Sequence, residues 1–181
     1  MNRNLLDGPL VILGLDPGGT TGWALYTCDL IHDPEGNIEF YNEKWDTGEM
    51  GPEHHHRKLW NFLHHWNCIN FFVVCESFDF RKDDQERDKI EYISAQYEGI
   101  VALFGEEWPT DYPVPRVVFQ SASTGKGFWY PRKNKKRDPY KLKRVGKYTP
   151  GSTHKNDAMA HLLHWMSFGP LDRRDLFQGL R

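Results

Sequence analysis

Cysteine is scarce in this 181-residue chain: Cys28, Cys68 and Cys75 are odd in number and none pairs in a C-x-x-C. That excludes a zinc knuckle and a disulfide framework, and leaves Cys75, inside an apolar run, as a small buried hydrophobe. Long apolar runs are missing too, and none approaches the roughly 18 residues of a membrane span. The opening Met-Asn-Arg-Asn-Leu-Leu-Asp-Gly carries an acid within a short apolar stretch and no small-residue cleavage site. No signal peptide is expected there, and a cytoplasmic address follows. No internal repeat or domain boundary is visible, so residues 1–181 are expected to form a single domain.

What is present is charge, unevenly placed. The net charge is only −2, yet the stretch from Lys126 to Lys147 holds ten Lys or Arg against one acid, Asp138. That stretch carries +9, leaving −11 for the remainder. Such segregation suits a protein that meets phosphate on one side and cations on the other.

Val11 to Leu15 is a short apolar run of the kind buried on both faces of a sheet, and Asp16-Pro17-Gly18-Gly19 ends it in a turn. Thr21 to Tyr26 and Asn37 to Trp45 read as two further strands, separated by turn signals at Asp33-Pro34 and Glu35-Gly36. Leu59, Phe62, Leu63 and Trp66 share one face of a helix, and Phe71 to Cys75 is a fourth strand ending at Glu76. A longer helical stripe runs from Ile90 to Trp108, and Arg116 to Phe119 makes a fifth strand. Residues 121–152, rich in Gly, Pro and basic residues, are expected to be a flexible loop with at most one short helix near Tyr140 to Val145. A last helix spans about Thr153 to Ser167, capped by Ser152 or Thr153. The order predicts an α/β fold: a five-stranded mixed sheet, three antiparallel strands then two parallel, flanked by helices.

Asp16 and Glu76 each abut a buried strand, where a carboxylate is costly without a partner. If those strands are parallel neighbours, both acids emerge at one edge and need a cation between them. His154 and Asp157, three apart on one face at the start of the last helix, can join the same cluster. Oxygen ligands of this kind suit Mg²⁺, and such a set suffices for two ions acting on a phosphodiester. Singly, each residue has an ordinary explanation as a turn former, strand cap, first-turn acid or surface histidine. The conjunction carries the argument.

The motifs Ile12-Leu13-Gly14-Leu15-Asp16-Pro17-Gly18, Val73-Val74-Cys75-Glu76 and His154-Lys155-Asn156-Asp157-Ala158 resemble the RuvC family of Holliday junction resolvases, within the RNase H-like superfamily. Thr124-Gly125-Lys126-Gly127 is similar to that family's T-G-x-G element. The resemblance implies an RNase H-like fold and a homodimer that binds a four-way DNA junction. It further implies paired symmetric nicks leaving 5′-phosphate and 3′-hydroxyl, with two Mg²⁺ ions per site, Mn²⁺ being able to substitute. Asp16 would bridge the ions, with Glu76 on one and Asp157 and His154 on the other; His154 is left open as a metal ligand or as a group acting on the water. The family's junction-stacking wedge has two candidates here, Phe78 and Phe80. Phage-encoded members are common, so the cytoplasm concerned is a bacterium's own or that of an infected host.

The basic stretch supplies the expected DNA contacts: Lys126, Arg132, Lys133, Lys135, Lys136, Arg137, Lys141, Lys143 and Arg144, interleaved with Phe128, Trp129 and Tyr130. Basic side chains bind phosphate and exposed aromatics stack on bases, without a base-reading motif. Neither a membrane nor a small-molecule substrate is implied. His54 to His56 and His64-His65 point different ways around a helix and chelate poorly. His161, one turn beyond Asp157, reads as a structural histidine or as a group supporting a ligand. Three rivals remain: a nuclease for flaps, forks or hybrids; a cleavage-dead DNA-binding protein; and an actin-like or sugar-kinase-type ATPase, for which 181 residues are too few.

Overall fold

Buried apolar runs set the centre of the molecule. The computed structural model describes residues 7–51, 61, 70–77, 116–130, 132–133 and 136–177, with 132–133 and 136–137 described by backbone alone. Strand β1 (Gly8–Asp16) is buried from Leu10 onward and is the middle of a five-stranded sheet, in the order β3-β2-β1-β4-β5. β2 (Thr21–His32) and β3 (Ile38–Met50) complete an antiparallel meander. At the turn joining them Gly36 takes a φ of 83° and the Asn37 amide donates to Asp33 Oδ1 at 2.7 Å. β4 (Asn70–Ser77) and β5 (Arg116–Ser121) then add in parallel. This is the mixed sheet that the hydrophobic pattern predicts. Its opening strands run further than expected, β2 past Tyr26 and β3 past Trp45.

β3 ends the described sheet. Its ladder with β2 slips between Thr27 and Asp29, where Asn42 takes a φ of 55°, so the outer strand bulges and twists. Beyond it, Arg173 reaches back from the C-terminal segment, donating to Tyr26 Oη at 2.9 Å and Asp175 Oδ1 at 2.9 Å.

The expected loop at 121–152 is corrected in part: the short helix near Tyr140 to Val145 is present, but the segment holds further elements. It opens with helix α1 (Ala122–Trp129), continues through a small ribbon of β6 (Arg132–Lys133) and β7 (Lys136–Arg137), and closes with α2 (Tyr140–Arg144). Gly125 and Gly127 hide α1 from a propensity reading, since each costs about 1 kcal/mol relative to Ala in a helix. Packing overrides that cost. Trp129 is completely buried in the core formed with Leu142, Leu162 and Met166.

Helix α3 (Thr153–Phe168) lies across β1 and β2. Its approach is close: a Cβ added at Gly22 would stand 2.0 Å from the His154 carbonyl oxygen. No helix among the described residues is long and apolar enough to cross a membrane. Apart from residue 61, which is helical, the helices expected at 59–66 and 90–108, with the histidines at 54–56 and 64–65, lie outside the described residues.

The entry to α3 differs from expectation. Ser152 occupies the cap position, but neither it nor Thr153 makes a side-chain capping bond to the helix. Buried Asn156 instead ties the preceding turn to the helix: it donates to Thr149 O at 2.7 Å and Ser152 O at 2.6 Å and accepts from the Thr149 amide at 2.8 Å. Asn156→Ala is expected to lower stability by about 1–3 kcal/mol, since buried partners are left unsatisfied. Urea denaturation measures it, and an unchanged midpoint would show the clamp to be dispensable.

Candidate active site

Parallel pairing brings strand ends to one edge. Leu15 is level with Cys75 and Glu76 with Gln120, so Asp16, Glu76 and Gln120 emerge side by side at the C-terminal ends of β1, β4 and β5. Ligand sites in sheets with parallel strands characteristically form there. The first turn of α3 covers this edge and adds Asp157 and His154.

The three carboxylates converge on an ammonium. Lys126, from the inner side of α1, donates to Asp16 Oδ1 at 2.9 Å and reaches Glu76 Oε2 at 2.7 Å and Asp157 Oδ2 at 2.9 Å. His154 Nδ1 is hydrogen bonded to the other oxygen, Asp16 Oδ2, at 2.9 Å. The His154 side chain is 42% exposed against 6% for Asp16, so histidine forms the mouth and aspartate the floor. His161, wholly buried, lies with Nε2 3.1 Å from Glu76 Oε2 and Nδ1 3.2 Å from Gln120 Oε1. Space for that ring requires Gly125, where an added Cβ would stand 2.6 Å from His161 Nδ1.

Burial pushes the Asp16 carboxyl above the ordinary aspartate range, against the hydrogen bond with His154. Burial acts likewise on Glu76, but hydrogen bonds with His161 and Asp16 and the Lys126 charge prevail and hold that carboxyl at about 2. Lys126 resists its own desolvation because three acids surround it, and its affinity for the proton rises above that of an ordinary lysine. His154 is raised by the bond to Asp16. One ammonium against three carboxyl groups leaves the pocket electron-rich and attractive to further cations.

The donor chemistry fits hard divalent cations, which take oxygen ligands. Among the described residues no group of three His, Cys, Asp or Glu side chains is closed to metal-binding distance. The carboxylates stand around Lys126 at hydrogen-bonding distances of 2.7–2.9 Å, whereas Mg²⁺ holds its ligands at about 2.0–2.1 Å. Holding an ion would require the trio to contract.

The sheet order β3-β2-β1-β4-β5, antiparallel then parallel and flanked by helices, is that of an RNase H-like fold. No protein-family model matches the chain, and no curated protein matches it by sequence. Among solved structures it is similar to Thermus thermophilus RuvC in complex with a Holliday junction substrate, with a TM-score of 0.53 at 16% identity, covering 88% of this chain and 96% of that one. A further Thermus thermophilus RuvC structure has a TM-score of 0.49 at 14% identity, covering 94% and 96%. The yeast mitochondrial Holliday junction resolvase has 0.46 at 14%, covering 86% and 77%. At such identities the likeness is one of fold.

The remaining candidates scatter. Lys126, grouped by sequence with the DNA contacts, sits among the acids. Trp129 and Tyr130, expected to stack on bases, are corrected: they are 0% and 7% exposed and belong to the core. The i, i+4 spacing of Gly125 and Trp129 on α1 was the available signal. Phe128 is half-buried, with Lys141 Nζ 3.5 Å above its ring. Lys143 and Arg144 are exposed on α2. Arg132, Lys133, Lys136 and Arg137 lie in the ribbon, their side chains outside the description; Lys135, Phe78 and Phe80 lie outside the described residues. Sequence reasoning missed Gln120, whose register opposite Glu76 appears only once β4 and β5 pair.

His161 holds the Glu76 carboxylate from behind. Removing such a supporting group typically costs about 10–100-fold in metal affinity or activity. For a Mg²⁺-dependent reaction at this site, half-saturation by Mg²⁺ in His161→Leu is expected to rise by that factor, with His161→Gln recovering part of the loss. A His161→Leu titration curve overlying wild type would remove Glu76 positioning from the account.

Proposed function

We propose that this protein is a divalent-metal-dependent endonuclease that resolves four-way DNA junctions by paired symmetric nicks. The carrying observation is the convergence of Asp16, Glu76 and Asp157, from β1, β4 and α3, on one cationic point within 2.9 Å. The RNase H-like fold, shared with a RuvC bound to a Holliday junction substrate, supports the reading. Asp16, Glu76 and Asp157 would hold two Mg²⁺ ions, or Mn²⁺ in their place. Bound there, the ions supply Lewis acidity that polarises the scissile phosphate and offsets the charge building on it.

The chain's own residues do the rest. Buried Asp16 is held at the floor of the centre by its hydrogen bond with His154. His154, at the mouth and bonded to Asp16, is placed to take a proton from the attacking water and return it to solvent. His161 fixes the Glu76 carboxylate. Hydrolysis leaves 5′-phosphate and 3′-hydroxyl ends. Exposed Lys143 and Arg144, with the basic ribbon, would hold phosphates around the branch. Two such sites in a homodimer would cut opposing strands, in the cytoplasm of a bacterium or of a phage-infected host.

The alternative within nucleases is cleavage of flaps, forks or hybrids, which the extended basic segment between α1 and α3 also suits. A synthetic four-way junction, a flap, a fork, an RNA–DNA hybrid and a plain duplex are incubated with Mg²⁺ or with chelator. Junction nicks placed symmetrically and dependent on Mg²⁺ are expected. Faster cutting of the flap, fork or hybrid would transfer the assignment to the alternative, and cutting in chelator would overturn the metal dependence.

A further inference from the structure

Lys126 stands where the proposed function needs a metal ion. We infer that its ammonium is the resident counter-ion of the carboxylate centre and leaves when a divalent cation enters. This rests on the metal-dependent reading above, and deepens it by assigning the group that the metal must displace.

An ammonium has three N–H donors, and Lys126 has three carboxylate oxygens at 2.9, 2.7 and 2.9 Å. Its hydrogen-bonding capacity matches this set. A divalent ion contracting the same oxygens to about 2.0–2.1 Å would take the lone pairs that the ammonium uses and repel it. The two cations are alternatives. Asp16, Glu76 and Asp157 are thus oriented before any metal arrives, and the ammonium offsets their mutual repulsion.

Exchange needs only the side chain to move. The α1 backbone is pinned by Gly125 against His161 and by buried Trp129. Lysine's four-carbon stem is flexible, and the Lys126 side chain keeps 12% of its surface open. Next to it Gly127 is exposed, and among the described residues no atom lies within 4 Å of the position of a Cβ there. Rotation of the stem moves the ammonium from the acids to the face that carries the basic segment.

The test uses Mn²⁺ alone, without DNA, titrated by calorimetry into the full chain and into Lys126→Met, which keeps the length and loses the charge. A neighbouring charge at this range is worth one to three pKa units to a carboxylate, so the variant is expected to bind Mn²⁺ at least about tenfold more tightly. Wild-type protein is also treated with acetic anhydride with and without Mn²⁺, and acetylation at Lys126 is mapped relative to exposed Lys143. Mn²⁺ is expected to raise Lys126 reactivity severalfold and leave Lys143 unchanged; this arm decides alone if Lys126→Met does not fold. Binding to the variant but not to wild type supports exchange in its strongest form. Equal affinities with unchanged Lys126 reactivity overturn the inference and leave the nuclease reading standing. No binding by either protein overturns the metal centre itself, and the exchange with it.

Discussion

Asp16→Asn is expected to reduce cleavage of a four-way junction by a factor on the order of 10³ or more, while binding of the uncut junction is kept. The substitution changes one oxygen to nitrogen at the end of β1 and leaves the strand's packing intact. It removes the negative charge that meets Lys126 on one side and His154 on the other. Asp16 bonds to both Lys126 and His154 from the floor of the site. The proposed DNA contacts on α2 and the ribbon lie on separate elements, which is why affinity should survive. Single-turnover cleavage with excess protein separates the two effects. Cleavage within tenfold of wild type would remove Asp16 from the chemistry and break the convergence argument at its centre.

Gly22→Ala is expected to cost about 3 kcal/mol or more, because the added methyl carbon would stand 2.0 Å from the His154 carbonyl oxygen and 2.2 Å from its carbon. Backbone cannot yield as a flexible side-chain tip can, so α3 must lift from β2. For a domain of this size such a loss lowers the melting temperature by about 6–12 °C. His154 and Asp157 lift with the helix, so activity should fall further than the loss of folded protein explains. A melting temperature within about 2 °C of wild type would mean that α3 tolerates a looser seat.

The two strand-end acids were legible because burial and charge collide in the sequence. Val11 to Leu15 and Phe71 to Cys75 are too apolar to be surface strands, and each is followed at once by a carboxylate. Parallel pairing then fixes their meeting point without further information. The spacing of His154 and Asp157 likewise places both on one face of a helix. Lys126 was not legible in the same way. It is one of ten basic residues in a short stretch, and nothing in its type separates an ammonium facing three acids from one facing phosphate. Its position depends on α1, whose two glycines argue locally against a helix; His161 packing explains Gly125. Trp129 and Tyr130 were misplaced for the same reason: without the helix they read as loop aromatics.

The slipped outer strand of the meander has a consequence for solution behaviour. A β-edge is a template on which another chain can grow, and the one that β3 forms among the described residues is 13 residues long. Its left-handed Asn42 and the slip opposite Cys28 break the flat, in-register ladder that stacking would require. Glu39, Glu43, Lys44 and Asp46 add charges that an incoming copy would have to desolvate. The outer strand of this sheet thus carries its own guard against fibre formation.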